Sequence, residues 1–337
     1  AVLKTDPLIL IQHGDPQSLP LSARKELLKN YATLFGRGSV YDDSIDHRSL
    51  WLFADKELAD TIKQVWNDCA ESEFRGDMLR LILQGQISEC KEILEQVAFD
   101  EKANVYHRIV AVEAMIACDL TESLSRVRAY LVQVADKAEL RLTNRLAKKL
   151  FPKHLSLVEL IDVIKRSRKP EKGSIESFGY GLAELFDRCP EADKQSFLNE
   201  LVDLSLSKPF KESYRRVSKA FGFLTKEFPA IAHGQLVKIG SSPPSIALTK
   251  SLMAIERADR DTDLRELKPS IDQLIDGNRL VKEHLFWADV NEALENETDA
   301  KPISEEWQIY FPQRLWRLDV EDLAWFEARL SPGTPER

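Results

Sequence analysis

The residues best suited to chemistry in this chain of 337 are cations. Ten Lys or Arg stand between positions 141 and 172 (Arg141, Arg145, Lys148, Lys149, Lys153, Lys165, Arg166, Arg168, Lys169 and Lys172) against three acids, a local charge of +7. The whole chain carries −8, so the remainder nets −15 (−8 − 7). Arg141, Arg145 and Lys148 fall at i, i+4 and i+7, one face of a helix, and Arg215 and Lys219 repeat the first step with Arg216 beside them and Lys226 further along. Rows of this kind bind carboxylates or phosphates by charge-assisted hydrogen bonds. In stacked helices equivalent faces run parallel, so the two rows are expected to form one positive surface for an acidic partner. The plainer alternative is a solvated face paired with the acidic segments 173–207 and 259–330.

Catalytic chemistry finds less support. The six histidines are never closer than 34 residues, and neither C-x-x-C nor H-E-x-x-H occurs. Residues 259–270, "DRDTDLRELKPS", lack the glycine and final acid of a calcium loop, so no metal is expected. Asp263 with Glu266-Leu267-Lys268 touches a nuclease-like acid pattern, but those acids need adjacent strands, and a solvated helix start is the favoured expectation. His13-Gly14-Asp15 could mark a catalytic strand end; Asp6-Pro7 and Asp15-Pro16 instead read as capping acids before helix-opening prolines, with Gly14 as the stop between two short helices. His284 shares a stripe with Leu280, Trp287 and Leu294 and is expected to be a core residue. A Ser–His or Cys–His pair made by distant residues stays open, because such partners meet only in the fold. No G-x-x-x-x-G-K-[ST] occurs; "GRGS" at 36–39 and "EKGS" at 171–174 are the nearest fragments, and no cofactor is expected.

The elements that must carry these residues are helices. Apolar residues recur at i, i+3 or i+4, and i+7 in Val105–Ile109–Val112–Ile116, in Leu124–Val127–Leu131–Val134 and in Leu157–Leu160–Ile161–Ile164. Tyr214, Val217, Phe221, Leu224 and Phe228 sustain the period for four turns, and about eighteen helices can be drawn this way. Only "LILI" at 8–11 could be a strand, and four residues make no sheet. Ser156 with Glu159 is a capping box. Phe-Pro occurs at 151, 228 and 311, separated by 77 and 83 residues, and is expected to mark helix ends whose phenylalanine turns inward. Those separations suit two units of an array whose helix pair runs to about 40 residues.

The expected fold is therefore all-α, an α-solenoid-like array of helix pairs, with an N-terminal array over 5–168, a C-terminal array over 173–330 and a tail at 331–337. The aromatic-rich "WQIYFPQRLWRLDVEDLAWFEARL" near the C-terminus is expected to cap the last pair. Cys69, Cys90, Cys118 and Cys189 lie within apolar helical patterns and are expected as free thiols of a reducing compartment. With no apolar run near the length of a membrane span and no leader-like start, the expected location is cytoplasmic.

Residues 99–131, "FDEKANVYHRIVAVEAMIACDLTESLSRVRAYL", resemble a HEAT-like repeat: an acid, a Val-x-x-Arg helix start, a first helix with Ala111, Ala114 and Ala117 for close approach, a turn at Asp119 and a second apolar helix. Over roughly residues 5–190, the succession "DPLILIQHGDPQSL", "SARKELL", "RGDMLRLILQG", this segment and "LFPKHLSLVELIDVI" looks like the helical region that follows the nucleotide-binding module in bacterial STAND (NACHT-type) NTPases, many of which are implicated in antiviral defence. The resemblance implies a sensing or regulatory arm. Without a P-loop, ATPase activity is not carried over to this chain. The expected function is non-catalytic recognition of a protein partner, with nucleic-acid or anionic-ligand binding through the basic rows as the alternative and an enzyme built from distant residues behind both.

Overall fold

Apolar spacing becomes helix throughout. The computed structural model describes residues 7–36, 45–167, 178–206, 218, 220–257, 264–296 and 320–322. It divides into two units, Ala1–Leu155 with Arg166–Arg168, and Ser156–Lys165 with Lys169–Arg337. Unit 1 holds α1 (Pro7–His13), α2 (Leu21–Gly36), α3 (His47–Phe53), α4 (Ala59–Asp68), α5 (Ser72–Gly85), α6 (Lys91–Phe99), α7 (Val105–Ala117), α8 (Thr121–Val134) and α9 (Leu140–Leu150). After α10 (Leu157–Arg166), whose last residue groups with unit 1, unit 2 continues with α11 (Leu182–Arg188), α12 (Lys194–Ser205), α13 (Phe228–Ile239), α14 (Ile246–Arg257), α15 (Leu264–Asp276) and α16 (Arg279–Asn296). No strand occurs among the described residues, so the fold is all-α. "LILI" lies within α1.

Packing follows parity. In unit 1, α1 packs on α3, α3 on α5, α5 on α7 and α7 on α9, while α2 packs on α4 and α6 on α8. In unit 2, α11 packs on α13, α13 on α15, α12 on α14 and α14 on α16. Apart from α10, each helix thus buries one side against its neighbour in sequence or against the next but one. α7 is the centre of unit 1, with Ala111, Ala114 and Met115 wholly buried, as small residues at a close helix approach require. Arg108 is buried on the same helix; its Nε donates to the carbonyl of Ala98 at 3.1 Å and its Nη2 to the Tyr130 hydroxyl at 2.8 Å. The negative end of α6 supplies the counter-charge for this guanidinium.

The turns repeat as well. α5 ends with Gln86 at φ 48° and α7 with Asp119 at φ 52°, 33 residues apart (119 − 86). In both, the residue that follows the left-handed one returns its N–H to the last turn, Ile87 to Ile82 at 3.1 Å and Leu120 to Met115 at 3.0 Å. Polar contacts between elements keep a similar period. Cys90–Ala59, Lys91–Glu122 and Lys153–Asp119 span 31, 31 and 34 residues in unit 1; Lys165–Glu200, His233–Ser270 and Asn278–Gly240 span 35, 37 and 38 in unit 2.

The capping box forms as expected: the Ser156 N–H donates to the Glu159 carboxylate at 3.0 Å, and the Glu159 N–H donates to Ser156 Oγ at 3.3 Å. Ser156→Ala should cost about 1 kcal/mol in a denaturant melt. Phe151 ends α9, buried, and its N–H donates to Ala147 at 3.0 Å; the following Phe151-Pro152 bond is cis. Phe228 departs from expectation, since it opens α13 rather than closing a helix, although it is fully buried. The described part of the segment leading to it is not α-helical: Gly222–Glu227 is a 3-10 helix, and 207–217 and 219 lie outside the described residues. Pro229 suits the first turn, where its missing N–H would have no partner. Asp15 also differs: Pro16 opens a 3-10 turn after Gly14, but the Asp15 side chain makes no capping bond. Phe311-Pro312 and most of the aromatic-rich C-terminal stretch lie outside the described residues.

All four cysteines are free, three of them buried. Burial pushes the Cys90 thiol up to about 12 and the Cys189 thiol up to about 11, so neither is a nucleophilic thiolate at neutral pH. Among the described residues no helix is long and apolar enough to cross a membrane.

Candidate functional site

The first basic row sits on α9 as its spacing requires. Leu142, Leu146, Ala147 and Leu150 bury one side of the helix, which leaves Arg141 and Arg145 exposed and Lys148 half-buried on the other. One helical turn separates the two arginines, about 5–6 Å between their Cβ atoms, a spacing that lets both guanidiniums address successive carboxylates on a partner helix. Lys149 is engaged differently, pairing with Glu113 of α7 at 2.9 Å. Lys153 pairs with Asp119 at 3.0 Å. Arg166 reaches the C-terminus of α8, donating to the carbonyls of Val132 at 2.7 Å and Gln133 at 3.2 Å and to Asp136 at 3.0 Å. The acids that answer Lys149, Lys153 and Arg166 are therefore one helix pair back in the chain, not in segments 173–207 and 259–330; Lys165–Glu200 alone of these four follows the expected pattern. Proximity decides this, because the preceding pair is the packed neighbour. Arg215, Arg216 and Lys219, and with them the shared surface, lie outside the described residues. Lys226 lies over the Tyr180 ring, 4.9 Å from its centroid.

A second cluster was not singled out from sequence. Tyr31 of α2 donates its hydroxyl to Asp77 of α5 at 2.6 Å, and Arg80 donates to the other carboxylate oxygen. Asp77 is only 2% exposed. Burial raises its carboxyl above the ordinary range, while the Tyr31 hydroxyl and the Arg80 charge pull the other way. Burial, then the Asp77 charge, pushes the Tyr31 phenol well above its ordinary value. His107 of α7 stands nearby, half-buried, its Nε2 so close to Gly76 that a Cβ there would lie 2.9 Å away. Burial lowers the His107 imidazole below its ordinary value, and the Arg80 and Arg75 charges add to this. The signal was present in "FRGDMLRLILQG": Asp77 falls on the stripe of Phe74, Met78 and Leu81, and an acid on a buried stripe must have partners.

One Ser–His pair does form between distant residues. His233 Nε2 and Ser270 Oγ are 2.8 Å apart, linking α13 to α15. A nucleophile would need an acid on Nδ1 and donors for an oxyanion, and no hydrogen bond to His233 Nδ1 occurs among the described residues. His284, expected in the core, is exposed, with Nδ1 2.8 Å from its own helix's Leu280 carbonyl; the stripe that packs is Val281, Leu285 and Phe286 instead. Glu266 and Lys268 lie in the first turns of α15, as a helix start predicts, and Asp263 lies outside the described residues. Among the described residues no group of three or more His, Cys, Asp or Glu could hold a metal ion.

Compared with protein-family models, curated proteins and solved structures, the chain matches none.

Proposed function

We propose that this chain is a non-catalytic α-helical repeat scaffold of the HEAT-like kind, which recognises a protein partner through an acidic surface that docks on α9. The observation that carries this reading is the recurrence of one contact scheme, next-but-one helix packing with polar links about one helix pair apart. Repeated helix pairs expose long side faces, which suit macromolecules better than small substrates. Arg141, Arg145 and Lys148 supply the charge on one such face, and Lys149 adds to its potential while paired. The succession of segments that resembles the arm of STAND NTPases supports a place in the regulatory part of a bacterial, cytoplasmic defence protein.

The test is binding of poly-L-glutamate and of a short DNA duplex across a salt series, for the parent protein and for R141E/R145E/K148E. Polyglutamate binding that weakens with salt and is lost in the triple variant is expected, with the helical fold retained. Preference for the duplex, with log affinity falling steeply in log salt, would turn the reading toward nucleic acid. Equal binding of polyglutamate by both proteins would remove α9 from the interface.

A further inference from the structure

We infer that the α5–α7 seam of unit 1 is a proton-sensitive joint whose sensor is His107, wedged against the backbone of α5 at Gly76. Geometry provides the first half of the device. The imidazole lies against Gly76, where even one added carbon would meet Nε2 at 2.9 Å, so the ring fills the space between the two helices. α5 and α7 pack directly on each other, and each also packs on the next helix in its row, so a change at this seam is felt on both sides.

The surrounding charges provide the second half. From α5, Arg75 and Arg80 are the charges that act on the ring. Asp77 of α5 is held by the Tyr31 hydroxyl and by Arg80. On the sides of α7 that meet α6 and α8, Arg108 is held by Ala98 and Tyr130. Toward α9, Glu113 is held by Lys149. The imidazolium therefore gains two like charges and no carboxylate of its own. Arg75 cannot retreat freely, since its guanidinium lies over the Trp66 ring at 4.8 Å and its Nε donates to the Cys69 carbonyl at 3.3 Å.

The sign follows from this environment. A histidine whose neutral form is favoured in the folded state leaves stability intact above its ordinary range and removes it as pH falls below that range. Mild acid should eject the ring and loosen α5 from α7 before the whole unit unfolds.

Hydrogen exchange of the intact protein at pH 7.5 and pH 5.5, corrected for intrinsic rates, tests this. Amides of α5 and α7 should open several-fold more at the lower pH than those of α2 and α4, and His107→Gln, which keeps a neutral polar side chain, should abolish the excess. The imidazole of the unsubstituted protein, followed by its ring-proton NMR signal, should titrate below the ordinary histidine value. A His107→Gln protein with the same acid response as the parent overturns the inference, and so does a ring that titrates at or above the ordinary value.

Discussion

Asp77→Ala should destabilise unit 1 by about 3–5 kcal/mol, the range found when one partner of a buried ion pair is removed. Both effects of the substitution point the same way. It strips Arg80, whose side chain is 13% exposed, of its carboxylate, and it leaves the Tyr31 hydroxyl, 1% exposed, without an acceptor. Asp77→Asn keeps an acceptor for Tyr31 and should cost less, about 1–3 kcal/mol. The two substitutions also separate attraction from desolvation. Because burial raises the Asp77 carboxyl above its unfolded value, the folded state holds the proton more tightly. The contribution of Asp77 is therefore full in acid, below the ordinary carboxylate range, and declines as pH rises through the raised value. Denaturant melts of the parent and of Asp77→Asn should accordingly differ more in acid than at neutral pH. A difference that grows with pH would mean that Arg80 and Tyr31 outweigh burial.

Phe228→Ala should cost about 3–5 kcal/mol, on the scale of other buried aromatic truncations. Phe228 is fully buried at the start of α13, where the 3-10 turn carrying buried Leu224 and Thr225 meets the proline-opened helix. Single domains are stable by about 5–15 kcal/mol, so the loss takes a large share of what unit 2 has. Phe228→Leu keeps most of the apolar volume and should lose distinctly less. Equal losses for Ala and Leu in urea melts would mean that ring shape, not buried volume, decides the site.

Where apolar period was long, the helices of unit 1 were legible from sequence: α7, α8 and α9 lie where Val105, Leu124 and the basic row placed them. The joint at Phe228 was not, because helical period alone cannot separate a helix that ends at a phenylalanine from one that begins there. Gly222 and Pro229 between them allow the chain to tighten into a 3-10 turn and restart, and only packing chooses that outcome. His284 failed for a related reason. Its stripe contained enough apolar residues to look buried, but the buried face of α16 is turned toward Val281 and Leu285. The basic row on α9 was readable because exposed charges at helical spacing follow from the positions of Leu142 and Leu146. The partners of Lys149 and Lys153 were not readable, since neither Glu113 nor Asp119 shares a helix with its lysine. Tyr31–Asp77–Arg80 needed a contact across 46 residues that no local pattern announces.

The turns at Gln86 and Asp119 carry a consequence for how unit 1 comes to be folded. Both place a residue with a side chain in the left-handed region, where glycine would rest with less strain, yet each returns the chain directly onto the helix it has just left. With neighbours only about 30 residues away along the chain, closing each loop costs little entropy, and the search for partners is local. Chains rich in near-sequence contacts fold fast. A chain emerging slowly from synthesis could thus set α5 against α7 before α9 exists.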